Sequence, residues 1–372
     1  MKAGLGTPPP GRVSSRRVNE LDAPNDCARG HEWPILKEVT KMKDQITAEE
    51  WFSPGTRVIY DPVTKNIVER AENADVAGEL HVWKRVERDA ARNNQESWTT
   101  FLPGFPDGSF GWAKVDQQLS GNSMMPKLYV EYVGQGDSDK PSGYSYGTME
   151  RADLVEALWE AEGIQSTFVV TFDYSSLVVL ELLSRQEERL NLGIDSGTKI
   201  EGVLMANGGY FADAHSHPLM TTPALRSPLG GIVTWFGQRS RFISRQLLKS
   251  MFSKEYRLTS AEFNEIYNAI SRRNGFSFVS RAAGFVAEHR AKYGERWDLR
   301  RLYLALRESV SFHIVGSEGD IFEPNQVIKA RERLGDQGLD IRMLPGGHMI
   351  TSEQPDQFAR IIEEVGPSIA AV

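Results

Sequence analysis

The sequence predicts an α/β fold: a mostly parallel, doubly wound sheet with an inserted helical cap. Three observations predict it. Short apolar runs alternate with stretches of helical periodicity, as a parallel sheet covered on both faces requires. The alternation stops between about Ala212 and Arg307, where helical patterns continue without a convincing strand. It then resumes for two more apolar runs and a closing helix.

Taken in order, residues 1–45 read as a disordered N-terminal tail. They hold Thr7-Pro8-Pro9-Pro10 and Arg12, Arg16 and Arg17, without the uninterrupted apolar stretch of a secretory signal, and a targeting peptide is the alternative reading. Thr56–Ala71 reads as two short β segments around Asp61-Pro62-Val63-Thr64, and Glu79–Val86 continues with apolar/polar alternation. Together these form an expected antiparallel edge. The parallel strands are expected at Trp98–Leu102, Leu128–Val133, Phe168–Phe172, Val203–Ala206, Phe312–Val315 and Ile341–Leu344. Within the interruption, Ser260–Ile270 and Ser280–Lys292 read as helices, and Glu353–Val365 reads as the final one. The expected organisation is therefore a core of residues 46–211 and 308–372 with a helical cap at 212–307, over the carboxyl ends of the strands, where open α/β sheets bind ligands.

Composition narrows the class. Of 372 residues, 40% are hydrophobic and 25% charged, which is globular usage. The one cysteine, Cys27, builds neither a disulfide framework nor a cysteine metal site within a chain, which points to a reducing, cytoplasmic location. The formal net charge of -7 argues against nucleic acid as a partner. Charge is uneven, however: Arg226 to Glu308 holds sixteen Lys and Arg against seven acids. These basic residues read first as solvated helix faces, with contact to an acidic membrane surface as the alternative.

The chemistry is carried by three segments. Gly143-Tyr144-Ser145-Tyr146-Gly147 matches the serine-hydrolase elbow pattern, but Asp139-Lys140-Pro141-Ser142 before it is a turn, not a strand. The required context surrounds Asp173 instead. The strand Thr167–Phe172 runs into Asp173-Tyr174-Ser175-Ser176, and Leu177–Arg185 leaves as a helix. Asp tolerates the positive φ of such an elbow; its alternative role is to cap the helix. Downstream, Asp320 stands just beyond one strand, with Glu318 as its rival, and His348 stands beyond the next. The order nucleophile, acid, histidine is that of α/β-hydrolases. Phe105, in the turn Pro103-Gly104-Phe105-Pro106, and Tyr174 are the residues whose amides could face a developing oxyanion. His81 and His313 lie in strand patterns and read as structural. His215-Ser216-His217 lacks a third metal ligand at that spacing, so no metal is expected.

With these residues in view, the chain resembles the epoxide hydrolase and haloalkane dehalogenase branch of the α/β-hydrolases. The resemblance rests on Pro103-Gly104-Phe105-Pro106, Gly134-Gln135-Gly136-Asp137-Ser138-Asp139-Lys140-Pro141, Phe172-Asp173-Tyr174-Ser175 and Pro345-Gly346-Gly347-His348, all in family order. Within the branch it is most similar to the mesoderm-specific transcript type, which shares the Asp-Tyr elbow and the Asn207-Gly208-Gly209 segment. It departs from the branch in three places. Pro103 replaces the turn histidine, Thr171 and Phe172 replace Gly and His before the nucleophile, and Ser175 and Ser176 replace glycines after it.

The resemblance implies a cofactor-independent hydrolase in which Asp173 forms an ester with a small apolar or amphipathic substrate. His348 activates water and Asp320 orients it. A carboxylate nucleophile suits a saturated carbon, so an epoxide is the first expectation and a haloalkane the second. Ester or lipid acyl chemistry and a catalytically altered binding protein are the further alternatives. The resemblance also implies a cap tyrosine as acid toward an epoxide oxygen, with Tyr256, Tyr267 and Tyr293 as candidates.

Overall fold

The computed structural model describes residues 45–69, 78–88, 97–119, 126–217 and 222–367. The expected N-terminal tail, apart from residue 45, and Cys27 lie outside the described residues.

Nine strands form one sheet. They are β1 (Thr56–Asp61), β2 (Asn66–Val68), β3 (Leu80–Glu87), β4 (Trp98–Leu102), β5 (Lys127–Val130), β6 (Ser166–Phe172), β7 (Lys199–Ala206), β8 (Ser311–Gly319) and β9 (Asp340–Gly347). The spatial order is β2-β1-β3-β5-β4-β6-β7-β8-β9. Strands β1 to β3 pair antiparallel and carry the edge, whereas β5-β4-β6-β7-β8-β9 run parallel. The edge hairpin turns where Asp61 Oδ1 accepts the Val63 amide at 2.8 Å and Lys65 takes a φ of 60°.

Helices on both faces explain why the parallel strands read as apolar runs rather than alternations. All five residues of β4 are buried. In β6, Val169 joins the apolar core of one face, while Phe168, Val170 and Phe172 join that of the other. The period of two sets this division.

The helical run between β7 and β8 is more broken than its periodicity predicts. Ser280–Lys292 is not one helix: Phe276–Ala282 and Phe285–Ala291 are separated by Ala283 and Gly284. Glycine is a poor helix former, and here it stands at the break. The closing helix runs over Pro355–Val365, starting two residues later than expected, and a separate helical turn, Ile350–Glu353, precedes it. Pro355 has no amide to continue the first turn and restricts Gln354 to a non-helical backbone.

Part of the insertion's positive charge faces the core rather than solvent. Arg272 forms a two-pronged pair with Asp137, at 2.8 and 2.7 Å. Arg296 pairs with the buried Glu181 at 2.6 Å, and Arg301 pairs with Glu187. These contacts clamp helices that the sequence pattern alone leaves solvated.

Candidate active site

The site is organised around a bend between β6 and the helix Ser175–Asn191. Asp173 makes that bend with a φ of 57°. Strand and helix approach closely here, and the side chains that depart from the family pattern are held by facing loops. Ser176 Oγ donates to the Asp173 carbonyl at 2.9 Å and accepts from the Gly209 amide at 2.9 Å. Ser175 Oγ donates to the Pro103 carbonyl at 2.5 Å. A Cβ on Gly208 would stand 2.4 Å from Ser176 Cβ, and one on Gly104 would stand 2.4 Å from Phe172 Cδ1. The missing glycines of the elbow thus have counterparts on the two loops that face it.

The Asp173 carboxylate is buried, at 6% exposure. Its Oδ2 accepts the Phe105 amide at 3.0 Å, and the Tyr174 amide also hydrogen-bonds the carboxylate. Its Oδ1 faces His348 Nε2 at 3.7 Å. The other imidazole nitrogen of His348, Nδ1, is 2.9 Å from Asp320 Oδ1. Asp173, His348 and Asp320 therefore come together from the ends of β6, β9 and β8. Glu318 is exposed on the last turn of β8, whereas Asp320 is buried.

Burial pushes the Asp173 carboxyl up to about 6, against the pull of the neighbouring His348, His217 and the two amides. Burial pulls His348 down, but Asp320 and Asp173 outweigh it and raise the imidazole to about 9. The resting pair at neutral pH is a carboxylate beside an imidazolium.

Several residues that sequence reasoning missed support this arrangement. Asn207, with a φ of 43°, ties three strand ends together. Its Nδ2 donates to the His348 carbonyl at 2.8 Å and to Ser317 Oγ at 2.9 Å, and its Oδ1 accepts the Ser317 amide at 2.9 Å. The signal was present in Asn207-Gly208-Gly209, read only as a resemblance. Gln135 Nε2 donates to the Gly104 carbonyl at 2.6 Å, steadying the turn that carries Phe105. Two buried carboxyls lie behind that turn: burial raises Asp107 to about 7 and Glu131 to about 8. Glu131 accepts from both the amide and the hydroxyl of Ser109, at 2.8 and 2.7 Å.

The inserted helices contribute aromatic cover. Phe278 and Phe285 pack against Phe105 with ring centroids 5.9 and 6.0 Å apart, and Phe285 stands 5.5 Å from Tyr174. The hydroxyls of two of the three tyrosines proposed as acids bond elsewhere. Tyr256 donates to Glu262 at 2.7 Å and accepts from Lys114 at 2.7 Å. Tyr267 donates to the Gln238 carbonyl at 2.6 Å, and Tyr293 packs on Trp297 with centroids 4.4 Å apart. Ser145 is exposed in the loop before the helix Thr148–Ala161, and its hydroxyl donates to Glu150. His81 and His313 pair with Asp139 and Asp340, at 3.3 and 2.9 Å.

The histidines of His215-Ser216-His217 gain the third partner that their spacing lacks. Glu323 Oε1 lies 2.5 Å from His215 Nδ1 and 2.7 Å from His217 Nε2, and His215 Nε2 is 2.8 Å from His289 Nδ1. The donor types are those of a divalent-metal site, and their ligand atoms lie within 4.8 Å of one another. The contacts as they stand have hydrogen-bond lengths. Burial opposes the charge on Glu323, yet the two imidazoles win and hold its carboxyl down at about 2. Gly209 makes room for this cluster, since a Cβ there would meet His215 Cε1 at 2.5 Å.

Sheet order, inserted helices and an aspartate elbow facing a histidine and a second acid define an α/β-hydrolase. Residues 101–361 match the Alpha/beta hydrolase family, and the chain belongs to it. It is 26% identical over 200 residues to the mesoderm-specific transcript protein of Mus musculus, a match covering 53% of this chain and 57% of the mouse protein. Among solved structures, it is similar to the haloalkane dehalogenase DbeA of Bradyrhizobium elkani, with a TM-score of 0.57, 16% identity and coverage of 78% of this chain and 94% of that one. A thermophilic esterase from Thermogutta terrifontis gives a TM-score of 0.58 at 17% identity, covering 83% of this chain and 97% of the esterase. These structural likenesses establish the fold.

Proposed function

We propose that the chain hydrolyses an epoxide on a mostly apolar small molecule through an ester formed on Asp173, beneath inserted helices that act as a cap. The observation that carries this reading is the division of labour on one carboxylate. The Phe105 amide binds Oδ2, the Tyr174 amide also hydrogen-bonds the carboxylate, and Oδ1 faces the imidazole of His348. A carboxylate so held is a nucleophile for a saturated carbon, and the amides then polarise the carbonyl of the resulting ester.

The proton inventory follows from the resting pair. Attack of Asp173 opens the epoxide and leaves an alkoxide. Loss of the carboxylate charge removes one of the influences that keep His348 protonated, so the imidazolium passes its proton to the alkoxide, directly or through one water. Neutral His348, aligned by Asp320, then takes a proton from the water that attacks the ester carbonyl. Collapse releases the diol, and the proton on His348 restores the starting state.

Intact-mass analysis of His348→Ala incubated with epoxides, haloalkanes and esters tests this. An epoxide adduct on Asp173 is expected, with its mass equal to that of the whole epoxide. A haloalkane adduct would lack the halogen, and an acyl adduct would redirect the reading to ester chemistry. The covalent mechanism fails if no compound leaves an adduct while Asp173→Asn keeps the wild-type turnover.

A further inference from the structure

The first part of the insertion combines two properties that are unusual together. From Ala214 to Lys254 there is no Asp or Glu, yet there are six Lys or Arg. Over the same region the helices Gly230–Arg239 and Arg241–Lys249, which meet at Ser240, turn large apolar side chains outward. Leu229, Ile232, Trp235, Phe236, Phe242 and Leu247 are each at least 45% exposed, with Phe242 at 72%. Seven of the fourteen exposed large apolar residues among those described fall between Leu229 and Leu247, so this is a patch rather than scatter.

Spacing places them deliberately. Ile232, Trp235 and Phe236 recur at three and four residues, one face of a helix, and Phe242 and Leu247 occupy the outer side of the next. Buried Leu248 gives that second helix its inward anchor. The basic groups are held at this surface as well: the Arg239 guanidinium stacks 4.4 Å over Trp235, and Arg241 stacks 4.7 Å over Tyr267. Burial of the apolar side chains in a protein core would not call for a basic border free of acids. An anionic surface would.

We propose that this face binds the surface of a membrane carrying anionic phospholipid. The apolar side chains enter the boundary between headgroups and acyl chains, and the Lys and Arg meet the phosphates. No described helix is long and apolar enough to cross a membrane, so the contact is interfacial. The inference does not depend on the chemistry at Asp173. If both hold, the insertion that covers the nucleophile rests on a bilayer and receives amphipathic substrates from it.

The test is flotation of the full-length chain with phosphatidylcholine vesicles, with and without phosphatidylserine, at low and high salt. Binding is expected to require phosphatidylserine and to weaken on the order of tenfold at high salt. Lys249→Glu should weaken it at least about fivefold. Trp235→Glu combined with Phe242→Glu should abolish it without lowering the melting temperature, because both side chains already face outward. Asp173→Asn should bind as the wild type does. Absence of flotation with either vesicle, or equal flotation with both, overturns the proposal. So does a wild-type dimer in sedimentation that the double substitution converts to monomer without any vesicle binding, which would make the face a contact between copies of the chain.

Discussion

His348 Nε2 stands 3.7 Å from Asp173 Oδ1, a separation that brings the two charges into mutual support without a direct hydrogen bond. In the proposed mechanism this gap is where the water that attacks the ester would give its proton to the imidazole. It also makes the protonation of each group depend on the other, and the first predictions come from that coupling.

The pH profile of kcat/KM should be bell-shaped. Asp173, raised to about 6, is ionised only above that pH, which sets the acid limb. His348, raised to about 9, is protonated only below that pH, which sets the alkaline limb. Asp320→Asn removes the acid that raises the imidazole, so the alkaline limb should move down by one or more pH units while the acid limb moves little.

Asp173→Asn should raise stability while it removes turnover. The native carboxyl is raised above its ordinary value of 3.8, so the folded chain binds this proton more tightly than the unfolded chain does. The ionised form therefore costs stability above pH 6, by at most about 3 kcal/mol. Urea unfolding at neutral pH should show the variant more stable, and near pH 4 the difference should shrink.

Glu323→Gln should act in the opposite sense. The carboxyl is held at about 2 against an ordinary value of 4.5, so its contribution is complete above pH 4.5 and is lost as pH falls through 2. The variant should be less stable at neutral pH by about 3 kcal/mol, and the two unfolding curves should converge toward pH 2.

Ser145→Ala should leave kcat and KM within about twofold of wild type, since an exposed surface substitution removes only local hydrogen bonds, to Glu150 and from the Gly147 amide. A loss of a hundredfold or more would instead assign the nucleophile to this serine.

Much of the fold was legible because buried parallel strands leave an unmistakable trace. Trp98–Leu102 is β4 residue for residue, and the helix predicted at Ser260–Ile270 ends one residue later. The elbow was legible for a related reason: an apolar strand, a lone Asp and an apolar helix leave little freedom for the residue between them. The helix break at Gly284 was less visible, because apolar periodicity carries across a short interruption. What periodicity could not supply were partners distant in sequence. Glu323 meets His217 from 106 residues away, and Asn207 reaches His348 across 141. Asn207-Gly208-Gly209 marks the asparagine but not its partner, the Glu323 pairing leaves no local mark at all, and the Arg272 and Arg296 clamps are hidden by the same distance.

Those clamps divide the insertion unequally. The ion pairs from Arg272, Arg296 and Arg301 to the core all arise in its later half, as does the Lys114–Glu262 bridge at 2.6 Å. Asp173 and His348 lie almost sealed from water, so under the proposed function a substrate would reach them only when something above them yields. The earlier half is tied to the core near its ends, by Asp213 to Lys329 and Arg333 and by Ser253 to Glu353, so the helices between those ties should cost less to displace than the later half. Solutes that weaken charge pairing should therefore loosen the later half first.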